Sequence, residues 1–314
     1  MFTSAALDGS LPLVDGGFQT GEDASRYDEV AAGVDEHSHL LRPLVQRMIA
    51  LAALRPGERL LDVGCGTGII ANQAARRVGP KGRVVGLDIS EGMLVCARAE
   101  AARRGISAWI EYRAGDAEAL PFADGAFDCA TCLFTLMHLP NPQQAVRDLY
   151  RVLSPQGRAL VGVGSSAPRN QLKGWAQLGL RAMDRMDEKR GKVLMAPDLL
   201  NSLVRKHFHV SEAHGVVPSG WGNPVQTLAD LMTRAGFRDL KYDWEGNVAS
   251  FADPEEFWDV QNTYSSFARQ RLLEAPGTVD RIRAEFLEKC ETVLARGGRL
   301  IYPIGALFVY GLKP

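Results

Sequence analysis

Long apolar runs are missing from this chain of 314 residues, and no segment approaches the length of a membrane span. The opening stretch, MFTSAALDGSLPLVDGG, also lacks the basic start of a secretory signal, so a cytoplasmic, reduced protein is expected. Excess charge of either sign is missing too. Lys and Arg total 36 against 37 Asp and Glu, and a net charge of −1 gives no long-range pull toward nucleic acid or anionic membrane. Cysteine is scarce and has no disulfide-like framework: Cys65, Cys96, Cys129, Cys132 and Cys290. Cys129 and Cys132 form a CxxC within FDCATCLF, where strand alternation turns them to opposite faces. No second ligand pair stands at zinc spacing, so these read as buried thiols and no metal site is expected. Internal repeats and low-complexity tracts are absent as well.

What is present is the mixture of an ordinary globular protein, 46% hydrophobic and 23% charged. Residues 1–54 read as an N-terminal segment, helical from Tyr27 to about Leu54 and ended by Arg55-Pro56-Gly57. Residues 55–165 then alternate short apolar runs with helices. ERLLDVG, RVVGLDI, AWIEYRAG, FDCATCLF and GRALVGVG read as strands, and helices follow the first, second and fourth. This rhythm implies a doubly wound α/β fold with a mostly parallel sheet. Residues 166–224 lose the rhythm and read as a helical insertion. Residues 225–314 supply two more strands, GFRDLKYDWEGN and ALFVYGL, around a second helical insertion at about 253–296. Asp253-Pro254-Glu255-Glu256 has the cap, proline and acidic first turn of a strong helix start.

The chemistry begins at LLDVGCGTG, where the first strand collapses into Gly64, Gly66 and Gly68. In a doubly wound sheet ligands bind beyond the carboxyl ends of the strands, and a glycine turn there lets backbone come close to one. Asp88 ends the next strand, where a carboxylate can accept both hydroxyls of a ribose. Two departures argue against a dinucleotide. The glycines are spaced GxGxG instead of GxGxxG, and Asp62 inside the strand would repel a pyrophosphate yet suit a cation. No GK[ST] follows, which excludes a kinase-type phosphate loop. In AGDAEALPF, Asp116 can accept from an adenine amino group while the Ala117 N–H donates to the ring. An adenosine whose other end is cationic describes S-adenosylmethionine.

LLDVGCGTG, VVGLDIS, AGDAEALPFADGAFD and LYRVLSPQGRALV together resemble the successive motifs of the class I S-adenosylmethionine-dependent methyltransferases, over roughly residues 55–165. The resemblance implies a seven-stranded sheet with an antiparallel last strand, and N-terminal helices and insertions forming a substrate lid. It implies that Asp62 and the turn of Gly64, Cys65, Gly66 and Gly68 hold the methionine part and that Asp88 holds ribose. Asp116 with Ala117 would hold adenine, Ile89 and Met93 would pack on the adenosine, and Cys132 and Leu133 would face the sulfonium.

Methyl transfer asks mainly for positioning and removal of one proton, so no dedicated catalytic motif is required. His138 in FTLMHLP, His37 and Tyr27 are the candidate bases, each with packing as the alternative role. His37 and His39 stand two apart, so on a helix only one can point inward. His207, His209 and His214 lie in the insertion without an acidic or cysteine partner at ligand spacing. Trp175, Trp221, Trp244 and Trp258 could wall an aromatic pocket or pack in the core. The N-terminal pattern of the quinone-ring C-methyltransferases is not recognisable in RYDEVAAGVDEHSHLL, and the cysteines do not suit an arsenite methyltransferase. The expected partner is a small, moderately apolar or aromatic methyl acceptor taken on O, N or C by a monomer or homodimer. Two alternatives share the turn: a non-methylating enzyme of this fold, performing a cyclisation or rearrangement, and a nicotinamide-dependent oxidoreductase.

Overall fold

A computed structural model describes residues 22–165, 186–188, 190–196, 198–208, 224–265, 268, 272–273 and 275–314. His209, His214, Trp175, Trp221 and the first 21 residues lie outside them. The chain divides into two compact units. One is drawn from Gly17–Ser165, Trp221–Glu245 and Ala306–Pro314, the other from Ser166–Gly220 and Gly246–Gly305.

The first unit holds the doubly wound part. Strands β1 (Arg59–Val63), β2 (Arg83–Asp88), β3 (Ile110–Ala114), β4 (Phe127–Leu133) and β5 (Leu153–Gly164) are all parallel, in spatial order β3-β2-β1-β4-β5. Their runs are apolar on both faces because helices cover both, as a parallel sheet requires. Leu60, Leu61, Val63, Val84 and Leu160 are buried accordingly. The later strands β7 (Arg238–Phe251) and β8 (Arg299–Leu312) complete this edge, with β8 antiparallel to β5 from Arg158↔Leu312 to Gly164↔Ala306. Strand order reverses between β1 and β4, paired at Asp62↔Thr131, so the switch point lies where the glycine turn begins.

Helices α3 (Ile69–Val78), α4 (Glu91–Arg103) and α5 (Pro142–Val152) connect these strands. Ser90 caps α4 by accepting from the Met93 N–H at 3.1 Å, and Asn141 caps α5 from the Gln144 N–H at 3.2 Å. The N-terminal segment is not one helix. It runs as α1 (Glu22–Glu36), a 3-10 turn over His37–Leu41, and α2 (Arg42–Ala52). Pro43 explains the break: without an N–H it cannot extend a preceding helix, but it suits the first turn of a new one.

In the second unit, a short strand β6 (Val193–Met195) pairs in parallel with the start of β8, from Val193↔Arg299 to Met195↔Ile301. A helical pattern was expected here, and three apolar residues hold too little periodicity to reveal a strand. Helices α6 (Asp198–Phe208), α8 (Pro254–Tyr264) and α9 (Pro276–Ala295) pack together, with the Trp258 ring edge-on to Phe286 at 5.2 Å. Asp253 caps α8 as expected, its carboxylate accepting from the Glu255 N–H at 2.9 Å. Helix α7 (Pro224–Ala235) belongs to the first unit, where it packs on α5. Among the described residues no helix is long and apolar enough to cross a membrane.

Candidate active site

The turn after β1 is built for close approach. Gly64, Gly66 and Gly68 all have positive φ, at 66°, 52° and 80°, where a side chain is strained. Their surroundings differ. A Cβ on Gly64 would meet Thr135 Oγ1 at 2.0 Å, and one on Gly68 would meet the Tyr112 hydroxyl oxygen at 2.3 Å. Around Gly66 there is open space among the described residues, none of which comes within 4 Å of the same position. Gly64 and Gly68 are therefore demanded by the protein's own packing, whereas no described side chain or backbone demands Gly66. The turn is tied to β2 by the Gly64 and Cys65 N–H groups, which both donate to the Leu87 carbonyl, at 2.7 and 3.0 Å. The Cys65 side chain is buried, and a Cβ on Gly86 of β2 would stand 3.0 Å from its sulfur. Burial first, then Asp88 and Asp62, push its thiol well above the ordinary range, so it stays neutral.

Three carboxylates stand at strand ends. Asp62 is 1% exposed. Its Oδ1 accepts from the Thr131 hydroxyl at 2.7 Å, and among the described residues its Oδ2 has no hydrogen-bond partner. Burial raises its pKa to about 7, against the Thr131 hydroxyl and the Ala71 N–H, with the charge of Asp88 adding to the rise. Asp88 links two turns. Its Oδ2 accepts from the Gly66 N–H at 2.8 Å and its Oδ1 from the Ser90 N–H at 3.0 Å. Each oxygen of such a carboxylate can accept more than one donor, so ribose hydroxyls can still be bound. Asp116 Oδ1 accepts from the Glu118 N–H at 2.8 Å, and Ala117 beside it is buried. Met93 is buried in α4, while Ile89 is 39% exposed.

Residues that the sequence did not single out hold this arrangement. Asp28 on α1 accepts from the Ser90 hydroxyl at 2.5 Å and from the Gly92 N–H at 2.7 Å, which docks α1 on the N-terminus of α4. A Cβ on Gly92 would meet the Asp28 backbone at 2.8 Å, so the glycine permits the contact. The loop carrying Asp116 is clamped from α5. Asp148 accepts from the Leu120 N–H at 2.7 Å, while Arg151 donates to the Leu120 and Phe122 carbonyls at 2.9 and 2.6 Å. Neither contact has a local sequence signal, since the partners are 28 to 64 positions apart.

The end of β4 carries the acceptor-side candidates. Cys132 and Leu133 are buried, and burial pushes the Cys132 thiol up to about 12. Phe134, next in line, has φ of 59° without being glycine, a conformation costing about 1–2 kcal/mol. Its N–H donates to the Gly162 carbonyl at 2.8 Å, which holds the chain as it turns. Strain of this kind concentrates at functional sites. Four residues later, His138 meets Tyr27 of α1 edge-on, ring centroids 6.2 Å apart. Two of the three candidate bases are thus brought together. The third, His37, is 5% exposed while His39 is exposed, as the two-residue spacing required.

Other candidates are used in packing. Trp244 is buried and donates its indole N–H to the Ser165 carbonyl at 3.1 Å, and Trp258 lies in the aromatic core of the second unit. His207 Nε2 pairs with Glu285 Oε2 at 2.8 Å. Among the described residues no three His, Cys, Asp or Glu side chains group as a metal site.

The unpartnered Asp62 oxygen, the open face of Gly66 and the further acceptor capacity of Asp88 fit a ligand with a cationic end and a ribose. Comparison with known proteins agrees. Residues 61–161 match the methyltransferase domain family. A ubiquinone/menaquinone biosynthesis C-methyltransferase of Pseudomonas entomophila is 40% identical over 226 residues, covering 70% of this chain and 82% of that protein. Nocamycin O-methyltransferase of Saccharothrix syringae is 35% identical over 218 residues, 69% of this chain and 70% of that one. Among solved structures, the [4+2]-cyclase SpnF shares the fold at a TM-score of 0.55, with 20% identity over 96% of this chain and 98% of that chain. The chain belongs to the class I S-adenosylmethionine-dependent methyltransferases, enzymes that take S-adenosylmethionine as cofactor.

Proposed function

We propose that this enzyme methylates a small, moderately apolar or aromatic metabolite on O, N or C, and that one of its own side chains removes the acceptor's proton. The observation that carries the cofactor side is the buried Oδ2 of Asp62 beside the glycine turn, which has no partner among the described residues. An orphaned buried acceptor is costly unless a donor meets it, and the cationic methionine end of the cofactor is such a donor. In this reading Asp62 and the backbone of Gly64, Cys65, Gly66 and Gly68 hold the methionine part. Asp88 accepts the ribose hydroxyls, Asp116 and the Ala117 N–H read the adenine edge, and Ile89 and Met93 pack on the adenosine. Cys132 and Leu133 contribute through the backbone at the end of β4, since their side chains are buried.

The cofactor supplies an electrophilic methyl group. The chain's part is to orient the acceptor, exclude water and take one proton. His138 is the preferred base, with Tyr27 beside it and His37 as the alternative; the ring pair of Tyr27 and His138 supports this order. Acceptor chemistry follows the relatives: one is named for C-methylation in quinone biosynthesis, the other for O-methylation of nocamycin. The expectation that set the quinone-ring enzymes aside rested only on the N-terminal segment, and 40% identity over 226 residues returns a ring acceptor to the field. A cytoplasmic monomer or homodimer acting in specialised metabolism, with neither nucleic acid nor membrane as partner, completes the reading.

Two experiments test it. Asp88→Ala is expected to weaken S-adenosylhomocysteine binding by about 1–3 kcal/mol, the range for losing charge-assisted hydrogen bonds. Calorimetry giving the wild-type dissociation constant would remove Asp88 from the ribose. His138→Ala is expected to keep cofactor affinity and lower turnover about 100-fold, the smaller end of what general bases contribute. Undiminished label transfer from methyl-labelled cofactor would return His138 to packing. Product formed by the wild type without label would instead identify a non-methylating enzyme.

A further inference from the structure

Strand β4, FDCATCL, carries a single hydroxyl, that of Thr131, and the residue is fully buried. Register sets it beside Asp62. The parallel pairing of β1 with β4 runs Leu60↔Cys129, Leu61↔Ala130 and Asp62↔Thr131, so the last two side chains leave the same face of the sheet. A β-branched residue in a strand is restricted at χ1, which fixes where its hydroxyl points. That hydroxyl donates to Asp62 Oδ1 at 2.7 Å. The second oxygen, Oδ2, is buried and has no partner among the described residues. The two oxygens of one carboxylate are therefore not equivalent.

We propose that Thr131 is a positioning residue for cofactor binding: by holding Oδ1 of Asp62, it leaves Oδ2 as the atom for which a proton and the cofactor's ammonium group compete. This rests on the reading above, which puts the cationic methionine end beside Asp62. An oxygen that already accepts a hydroxyl hydrogen is the poorer place for a second one, so the neutral acid carries its proton on Oδ2. When the ammonium group pairs there, that proton passes to solvent and the bond from Thr131 is kept. A donor to the ionised form favours that form, and the Ala71 N–H on α3 acts in the same direction. The titratable groups around Asp62 give no such help. Asp88 of β2 opposes its ionisation by like charge. Cys65 of the turn, Cys129 and Cys132 of β4 and Tyr112 of β3 are all pushed up by burial and stay neutral. Among the described residues, Thr131 is the side chain that donates to Asp62.

The test titrates S-adenosylhomocysteine, which keeps the ammonium group, into the full-length enzyme at pH 6 and pH 8 by calorimetry. Wild type is compared with Thr131→Val and Thr131→Ser. Valine matches threonine in shape but lacks the donor, so it is expected to move the titration of Asp62 up by about one pH unit. Affinity should then fall about 10-fold at pH 6 but only about 2-fold at pH 8, where deprotonation catches up. Serine restores the hydroxyl and is expected to return the wild-type pH profile. A merely structural role gives the same loss at both pH values. That result, a Thr131→Val profile equal to wild type, or a serine variant that behaves as valine overturns the positioning role. Thr131→Ala carries the same comparison if the valine variant does not fold. A wild-type affinity that is flat from pH 6 to pH 8 strikes the placement of the cationic end at Asp62, and the proposal with it. The two failures are told apart because the second needs no variant.

Discussion

Gly64→Ala is expected to abolish measurable cofactor binding, with at least a 100-fold loss, and to lower the melting temperature by roughly 5–15 °C. Two costs add at this position. Alanine at a φ of 66° is strained by about 1–2 kcal/mol. The new methyl would also stand 2.0 Å from Thr135 Oγ1 and 2.5 Å from its Cγ2, which adds about 1–3 kcal/mol of overpacking. Thr135 cannot simply rotate away, because its hydroxyl donates toward the Val63 and Leu133 carbonyls, at 3.3 and 3.2 Å. Relief must therefore come from moving the turn against the end of β4, which spoils the ligand site. Gly66→Ala is the matched comparison. It suffers the strain alone, since no described residue lies within 4 Å of its Cβ, so only a few degrees of melting temperature should be lost. Binding should nevertheless fall by more than 10-fold, because the methyl enters the space assigned to the cofactor. Equal affinity for S-adenosylhomocysteine in Gly66→Ala and wild type would place the ligand elsewhere. Thr135→Ala in the Gly64→Ala background should recover part of the stability, since two of the three closest atoms are removed.

The contrast between these two glycines also marks how far the sequence could be read. The strand–glycine–helix signal, Asp62, Asp88 and Asp116 were all legible, because each follows a short apolar run whose period is local. The order of strands followed from the same alternation. What stayed hidden depends on partners distant in the chain. Asp28 acts on Ser90 and Gly92 more than sixty positions away, and its helix gives no hint of that target. Phe134 adopts a glycine-like φ held by the Gly162 carbonyl, where no glycine announces a turn. The break at His37–Leu41 could have been anticipated from Pro43, but the apolar stripe running across it favoured a single helix. Strand β5 begins at Leu153 and not at Gly157, because its pairing with β4 starts at Phe127↔Leu153 and shifts register before Cys129↔Arg158.

Asp62 gives the second large effect, and its sign is fixed by burial. Its folded pKa of about 7 stands above the ordinary 3.8, so the folded state holds a proton that the unfolded chain releases. The resulting stability is fully present below pH 4 and is lost as pH rises through 7. At 1.36 kcal/mol per pH unit, the gap from 3.8 to about 7 sets its size at roughly 4 kcal/mol. Cofactor binding should run the other way. A cationic methionine end pairs with the ionised carboxylate, so affinity for S-adenosylhomocysteine is expected to rise about 10-fold from pH 6 to pH 8, with proton release at the lower pH. Calorimetry in buffers of different ionisation enthalpy measures both quantities. Asp88 is also pushed up by burial, so Asp62→Asn is the necessary control. It keeps the size of the side chain and removes the titration, and should flatten both the stability profile and the affinity profile between pH 6 and pH 8. A wild-type affinity that does not change over this range would separate Asp62 from the cationic end of the ligand. The pH dependence of folding alone would then belong to the buried carboxyl and to nothing bound beside it.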